Sequence, residues 1–250
     1  MHATANPDLA EAHASIGFIK TFHQWKWDEA EASFKRSIEI NRGYATAHHW
    51  YAELLAVRGR HSEAVAEMQR ALEIDPLSHS FLADLGQKYF FAGDNVRAEE
   101  YCQKALDVYP DFNFAYWYLK EIYLKQGAYE KALDADYRGQ RTNFLEDTPV
   151  AERERVEQEY LNQRRILAEA GAVKMLDIYV LNDDKSAGNA LANAGIYALL
   201  GQKEKALDAL EIGFANRTFG MIFVKANPFF ENLRSEPRYK ELLRKMDLAD

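Results

Sequence analysis

Ala45 to Ser78 reads ATAHHWYAELLAVRGRHSEAVAEMQRALEIDPLS, and the stretch that follows, His79 to Phe112, reads HSFLADLGQKYFFAGDNVRAEEYCQKALDVYPDF. Set one above the other, Ala52 falls over Gly86, Leu55 over Tyr89, Gly59 over Gly93, Ala64 over Ala98, Met68 over Cys102, Ala71 over Ala105 and Pro76 over Pro110. A fixed period of 34 residues, with small, large and turn residues at set offsets, belongs to a solenoid of stacked helix-turn-helix units. Within Ser62 to Ile74, Ala64, Met68, Ala71 and Leu72 share one helical face, and Glu63, Glu67, Gln69, Arg70 and Glu73 take the rest. Gly59 and Gly93 are placed to end the first helix of each pair in a left-handed residue, and Pro76 and Pro110 stop the second. Each unit is therefore expected to be an antiparallel helical hairpin.

The register extends both ways. Downstream it runs through Leu119, Tyr123, Gly127 and Ala132; upstream it places Gly17, Ala30, Phe34 and Ser37. The gap from Gly17 to Ala30 is one residue longer than that from Ala52 to Ala64, so the turn containing Trp25 and Trp27 must absorb an insertion. These two tryptophans are read as covering the end of the first hairpin. Asn6-Pro7 falls where Asp75-Pro76 falls in its repeat, which implies a further unit upstream and an uncovered apolar end that favours self-association through Ala10 to Ser37.

Lys120 and Gly139 depart from the small and packing residues at those offsets, and looser stacking is expected there. From Gln140 to Ser186 the period breaks. Asp147-Thr148-Pro149 starts a helix that runs towards Gly171, and Val173 to Leu181 is read as a helix. Ala187 to Gly220 returns to register, and Ser235 to Met246 carries one apolar stripe (Tyr239, Leu242, Leu243, Met246) suited to a capping helix. The expected domain is a single one over 1–250, with repeats near 10–44, 45–78, 79–112, 113–146 and 187–220, an irregular two-helix unit at 147–186 and a cap at 221–250.

These residues resemble the tetratricopeptide repeat, which implies an all-α, right-handed α-solenoid and a protein-binding role. NPDLAEAHASIGF, GYATAHHWYAELL, YALLGQKEKALDALEIGF and VKANPFFENLRSEPRYKELLRKM together look like the repeat domain that follows a winged-helix, nucleotide cyclase or Ser/Thr kinase domain in bacterial regulators. None of those catalytic or DNA-binding domains is in this sequence, so their activities do not carry over.

Composition sets limits on the partners. At 48% hydrophobic and 28% charged, the chain has the make-up of a folding protein. A net charge of -8 opposes generic attraction to nucleic acid or anionic lipid. Cys102 is the only cysteine, which precludes an intrachain disulfide. With neither a signal segment nor a membrane-length apolar run in the sequence, the expectation is a cytoplasmic protein.

Chemistry-bearing motifs are few. His48 and His49 diverge by about 100 degrees on a helix and cannot share one metal ion, so no metal site is expected and His48 is read as a packing residue. The turn Leu181 to Ser186 fails as a calcium loop because Asn193 stands where the closing glutamate belongs. Asn216-Arg217-Thr218 is a chance glycosylation match. The chain is therefore read as a non-enzyme without a cofactor.

In the resembled family the concave face comes from the first helix of each pair, at offsets that select Phe18, His49, Trp50, Glu53, Gln87, Phe90, Phe114, Trp117 and Glu121, with the centre at Phe90, Phe114 and Trp117. The family's carboxylate clamp uses lysine, asparagine and arginine there. Aromatics with two glutamates suit instead a peptide or protein segment of apolar or basic-apolar character. Two alternatives use the same region: a small-ligand sensor, and a metal-dependent hydrolase around His48 and His49.

Overall fold

The computed structural model describes residues 9–181 and 187–249. Asn6-Pro7 and Asn182 to Ser186, on which two of the readings above rest, lie outside them. The described residues form helices α1 (Ala10–Ile19), α2 (Trp27–Ile40), α3 (Ala45–Val57), α4 (His61–Ile74), α5 (His79–Phe91), α6 (Asn95–Val108), α7 (Asn113–Gln126) and α8 (Tyr129–Arg141). Next come α9 (Val150–Leu181), α10 (Ala190–Leu199), α11 (Lys203–Ala215) and α12 (Pro237–Lys245), with 3-10 turns at Ala187–Asn189, Phe219–Phe223 and Pro228–Leu233. No strand occurs among the described residues. The fold is an all-α solenoid: α1/α2, α3/α4, α5/α6 and α7/α8 are hairpins packed on their neighbours, α9 continues the stack from α8, and α10/α11 form a fifth hairpin.

Local chemistry accounts for these boundaries. Gly59 (φ 75°) and Gly93 (φ 82°) close the first helices in the left-handed region that costs other residues strain. α4 and α6 end two residues before Pro76 and Pro110. Asp94 caps α6 by accepting the Arg97 N–H at 3.0 Å.

The repeat positions are the core. Ala52, Leu55, Ala64, Met68 and Ala71 are buried, as are Tyr89, Ala98, Cys102 and Ala105 one unit on. Gly86 exists for close approach: a Cβ there would lie 2.6 Å from Cys102 Sγ and 2.9 Å from the Ala98 carbonyl oxygen. Gly86→Ala must push α5 from α6, with an expected loss of about 1–3 kcal/mol measurable by urea unfolding. A variant as stable as the parent would show that the two helices are not in register there.

The first unit resolves its extra residue inside the helix. Lys20–Gln24 is a π-helical turn, the usual way to insert one residue, and Trp25 (φ 59°) then takes the left-handed place held by glycine in the later units. Lys120, expected to loosen the fourth unit, does not. Its ammonium reaches Asp136 at 2.9 Å, and Gly139 is small because Tyr116 Cβ would meet its missing Cβ at 3.0 Å. The α7/α8 hairpin remains packed. Val150–Leu181 is helical throughout except at Gly171 (φ 79°, ψ 174°), where the chain bends.

The C-terminal segment differs most from expectation. α12 does pack on α11: Arg238 pairs with Glu204, Asp208 and Glu211 at 2.7–2.9 Å, and Glu236, rather than Ser235, is its N-cap. Phe223, Phe229 and Phe230 do not simply seal the end of α11. Residues 214–246 run as a strap along the turns of the first four hairpins. Trp25 packs on Phe214, Trp27 Nε1 donates to the Met246 carbonyl at 2.8 Å, and Gly59 abuts the Lys225 stem. Phe91 meets Phe223, Phe90 meets Phe229, and the Lys125 ammonium donates to the Pro228 carbonyl at 2.7 Å. Trp25 and Trp27 therefore lie under the strap, while Ile16 and Ile19 on α1 and Leu9 at its N-cap stay exposed.

Candidate functional site

The strap converts the concave face into two joined chambers. The smaller, about 420 Å³, has the inner faces of α1, α3, α5 and α7 on one side and Leu191, Phe219, Gly220, Phe223 and Asn227 on the other. The larger, about 740 Å³, continues from α7 past α8, α9 and α10. Trp117, Glu121, Leu191, Phe219, Gly220 and Asn227 border both.

Helical spacing puts the wall residues there. On α7, Phe114, Trp117 and Glu121 recur at three and four, hence on one face. Glu53, Gln87 and Glu121 occupy the same offset of successive repeats and all three line the smaller chamber. At its N-terminal end Phe18 packs on Trp50 with ring centroids 4.8 Å apart, and Phe22 stacks on Phe219 at 5.3 Å.

Of the residues selected from sequence, Phe18, His49, Trp50, Glu53, Gln87, Phe114, Trp117 and Glu121 meet around this chamber. Phe90 does not. It is 2% exposed and packs on Phe91 and Phe229, so the strap covers it. The centre of the wall accordingly moves from Phe90 to Phe114 and Trp117, which are 53% and 41% exposed. Sequence reasoning missed Phe22, Asp84, Phe91 and the whole strap side. Asp84 was legible in principle, since it lies 34 residues from both Trp50 and Tyr118.

A polar network underlies the aromatic wall. Lys88, with no side-chain exposure, pairs with Glu53 at 2.6 Å and donates to Gln87 at 2.5 Å. His49 Nε2 lies 2.8 Å from Asp84 Oδ2, and Tyr118 donates to Asp84 Oδ1 at 2.8 Å. Burial pushes the Asp84 carboxyl up, but the His49 hydrogen bond and charge, the Lys88 charge and the Tyr118 hydrogen bond outweigh it and hold the group below the usual carboxylate range. The network ties the second, third and fourth hairpins together.

His49, Glu53 and Asp84 offer ligand atoms all within 4.8 Å of one another, a cluster that a search for paired histidines does not find. It does not suit a metal ion. The Lys88 ammonium already holds Glu53, and the His49 nitrogen that would ligate is the one facing Asp84. His48 points away into the core, with Nδ1 on Glu67 at 2.7 Å and Nε2 on the Arg42 carbonyl at 3.1 Å. His48 and His49 thus face different partners. Burial pushes the Cys102 thiol far above its ordinary value, which leaves it a packing residue.

Glu121 has a different environment. Burial lifts its carboxyl to about 7, only partly opposed by the Lys120 charge, because Lys120 is drawn off to Asp136.

Two family models of the tetratricopeptide repeat match residues 23–85 and 83–143. The chain is a tetratricopeptide repeat protein. No curated protein matches its sequence. Among solved structures this tetratricopeptide repeat protein is similar to the Cut9-Hcn1 hetero-tetramer of the APC/C (18% identity, TM-score 0.58), covering 97% of this chain and 44% of that one. It is also similar to a tetratricopeptide repeat protein from Parabacteroides merdae (18%, TM-score 0.56, 98% and 87% covered). A third likeness is to pilF of Pseudomonas aeruginosa (15%, TM-score 0.53, 94% and 97% covered). At these identities the likeness is one of fold. Stacked helix pairs with a concave inner face make the tetratricopeptide repeat protein an interaction scaffold. Among its described residues no helix is long and apolar enough to cross a membrane.

Proposed function

We propose that this tetratricopeptide repeat protein acts without catalysis, holding a peptide or partner-protein segment of apolar or basic-apolar character in the aromatic chamber. The observation that supports this reading is the state of α7. Trp117 and Phe114 keep large exposed faces on the inner wall, where a solenoid would otherwise bury them or replace them with polar residues. The net charge of -8 favours a basic partner over nucleic acid or an anionic membrane. The resemblance of residues 224–246 to the closing segment of bacterial regulators supports a place as their cytoplasmic interaction or sensing module. The exposed Leu9, Ile16 and Ile19 supply the apolar face that self-association through the first hairpin would need.

Trp117→Ala is the direct test. Removing a central aromatic anchor commonly costs about 2 kcal/mol or more, so partner recovery and affinity are expected to fall by more than about tenfold while helicity is unchanged. A variant that unfolds would make Trp117 a core residue; one that binds normally would move the site elsewhere. A second reading, a small-ligand sensor, is favoured by the strap itself, since chambers of about 420 and 740 Å³ fall in the size range of small-molecule sites. Under that reading, lysate metabolites rather than peptides displace one another from the chamber.

A further inference from the structure

We propose that Glu121 is the counter-ion for a lysine or arginine side chain of the bound segment, whose neighbouring apolar residue lies in the aromatic chamber. This rests on the peptide reading above and adds to it the ligand's charge, its orientation and the residue that selects it.

The chambers differ in character and Glu121 stands at their junction. On the side of α1 and α3 the wall is Phe18, Phe22 and Trp50; on the side of α8 and α9 it is Asp136, Gln140 and Glu159. A ligand that is apolar at one end and cationic at the other fits in one direction only.

Every other carboxylate facing these chambers already has a partner. Glu53 holds Lys88, Asp84 holds His49 and Tyr118, Asp136 holds Lys120, and Glu159 reaches Arg155 at 3.5 Å. Of the described carboxylates that line the chambers, Glu121 is the one that makes no hydrogen bond or ion pair. Five carboxylates against Lys120 and His49 leave the walls acidic. A half-buried carboxylate without a partner carries a desolvation cost, and a cation supplied by the ligand offsets that cost. Trp117, one turn before Glu121 on the same face, adds an aromatic surface that favours a cation further.

The carboxyl's elevated ionisation, near pH 7, gives the proposal a signature. The charged groups facing it are Lys120 on its own helix, Asp136 from α8, Glu159 from α9, and the Lys88–Glu53 and His49–Asp84 pairs from α3 and α5. A cation arriving beside Glu121 must displace its proton, so binding strengthens as pH rises through 7 and releases a proton to the buffer.

The test is selection of peptides from a randomised display library on the full chain at pH 8, followed by calorimetry. Selected sequences are expected to share a lysine or arginine next to an aromatic or aliphatic residue. Such a peptide should bind Glu121→Gln at least about tenfold more weakly, and a norleucine-for-lysine version should lose a like factor on the parent but not on the variant. Titration at pH 7 in two buffers of different ionisation enthalpy should show proton release with the parent and none with Glu121→Gln.

Selection of neutral peptides bound equally by parent and variant would overturn the counter-ion while leaving the peptide reading intact. Basic peptides that bind Trp117→Ala and Glu121→Gln as well as the parent would place recognition outside the chamber and overturn both. Failure to select any peptide above background would remove the peptide reading itself, and the counter-ion with it.

Discussion

Phe230→Ala is expected to lower the free energy of unfolding by about 3–5 kcal/mol, and removal of the chain from Ala226 onward to cost more. Phe230 has no solvent exposure and packs on Tyr239, whose hydroxyl donates to the Val224 carbonyl at 2.8 Å. The cavity left by alanine thus opens at the centre of the strap, where neighbours are held by the fold and cannot collapse inward. Truncation goes further. It uncovers Trp27 and Phe90, takes away the Lys125 contacts with Pro228 and Glu231, and removes Arg238 from its carboxylate partners on α11. Thermal melting should shift down, and a dye that reports exposed apolar surface should bind before unfolding is complete. A truncated chain that melts with the parent and stays dye-free would reduce the strap to an appendage.

Glu121→Gln is expected to stabilise the protein at neutral and alkaline pH. The folded carboxyl titrates near 7, above the ordinary 4.5 of the unfolded chain, so ionised Glu121 is a destabilising group. The direction follows from proton linkage. Below about pH 4.5 the carboxyl is protonated in both states and costs nothing; between there and 7 the unfolded state loses its proton first and stability falls; above 7 the loss is complete. At 1.36 kcal/mol per unit, discounted for its remaining solvent contact, the variant should gain on the order of 2–3 kcal/mol at pH 8 and nothing at pH 4. Denaturant unfolding at the two pH values measures this. A difference that is the same at both would mean that Glu121 is already compensated in the folded protein.

Much of this architecture was written in residues with a period. Gly86, Cys102 and Ala98 fall at the offsets of Ala52, Met68 and Ala64 because two helices approach closely in both units, and a requirement repeated each 34 residues leaves a mark that can be counted. Of the nine wall residues read from the sequence eight line the smaller chamber, while Phe22, Asp84, Phe91 and the strap side were not read. Glu53, Gln87 and Glu121 share an offset and were found; Phe90 and Asp84 are separated by less than two turns on α5, and only packing by the strap determines which faces the chamber. Lys120 misled because residue size was read without the partner that bends its stem aside, Asp136 on the next helix. The strap left no such signal. Phe219 and Phe223 pair with Phe22 and Phe91 across most of the chain, and contacts made once have no period to betray them.

The hydrogen bond from Trp27 to the carbonyl of Met246 joins residues 219 apart and brings the first hairpin against the last helix. An open row of repeats behaves like a spring: it frays from its tips, its pitch breathes, and its units melt in sequence according to nearest-neighbour coupling. Here the first hairpin is instead clasped to the last helix. The width of the inner passage then depends on the strap as well as on the hairpins, so a guest that spreads α3 from α7 works against contacts it never touches.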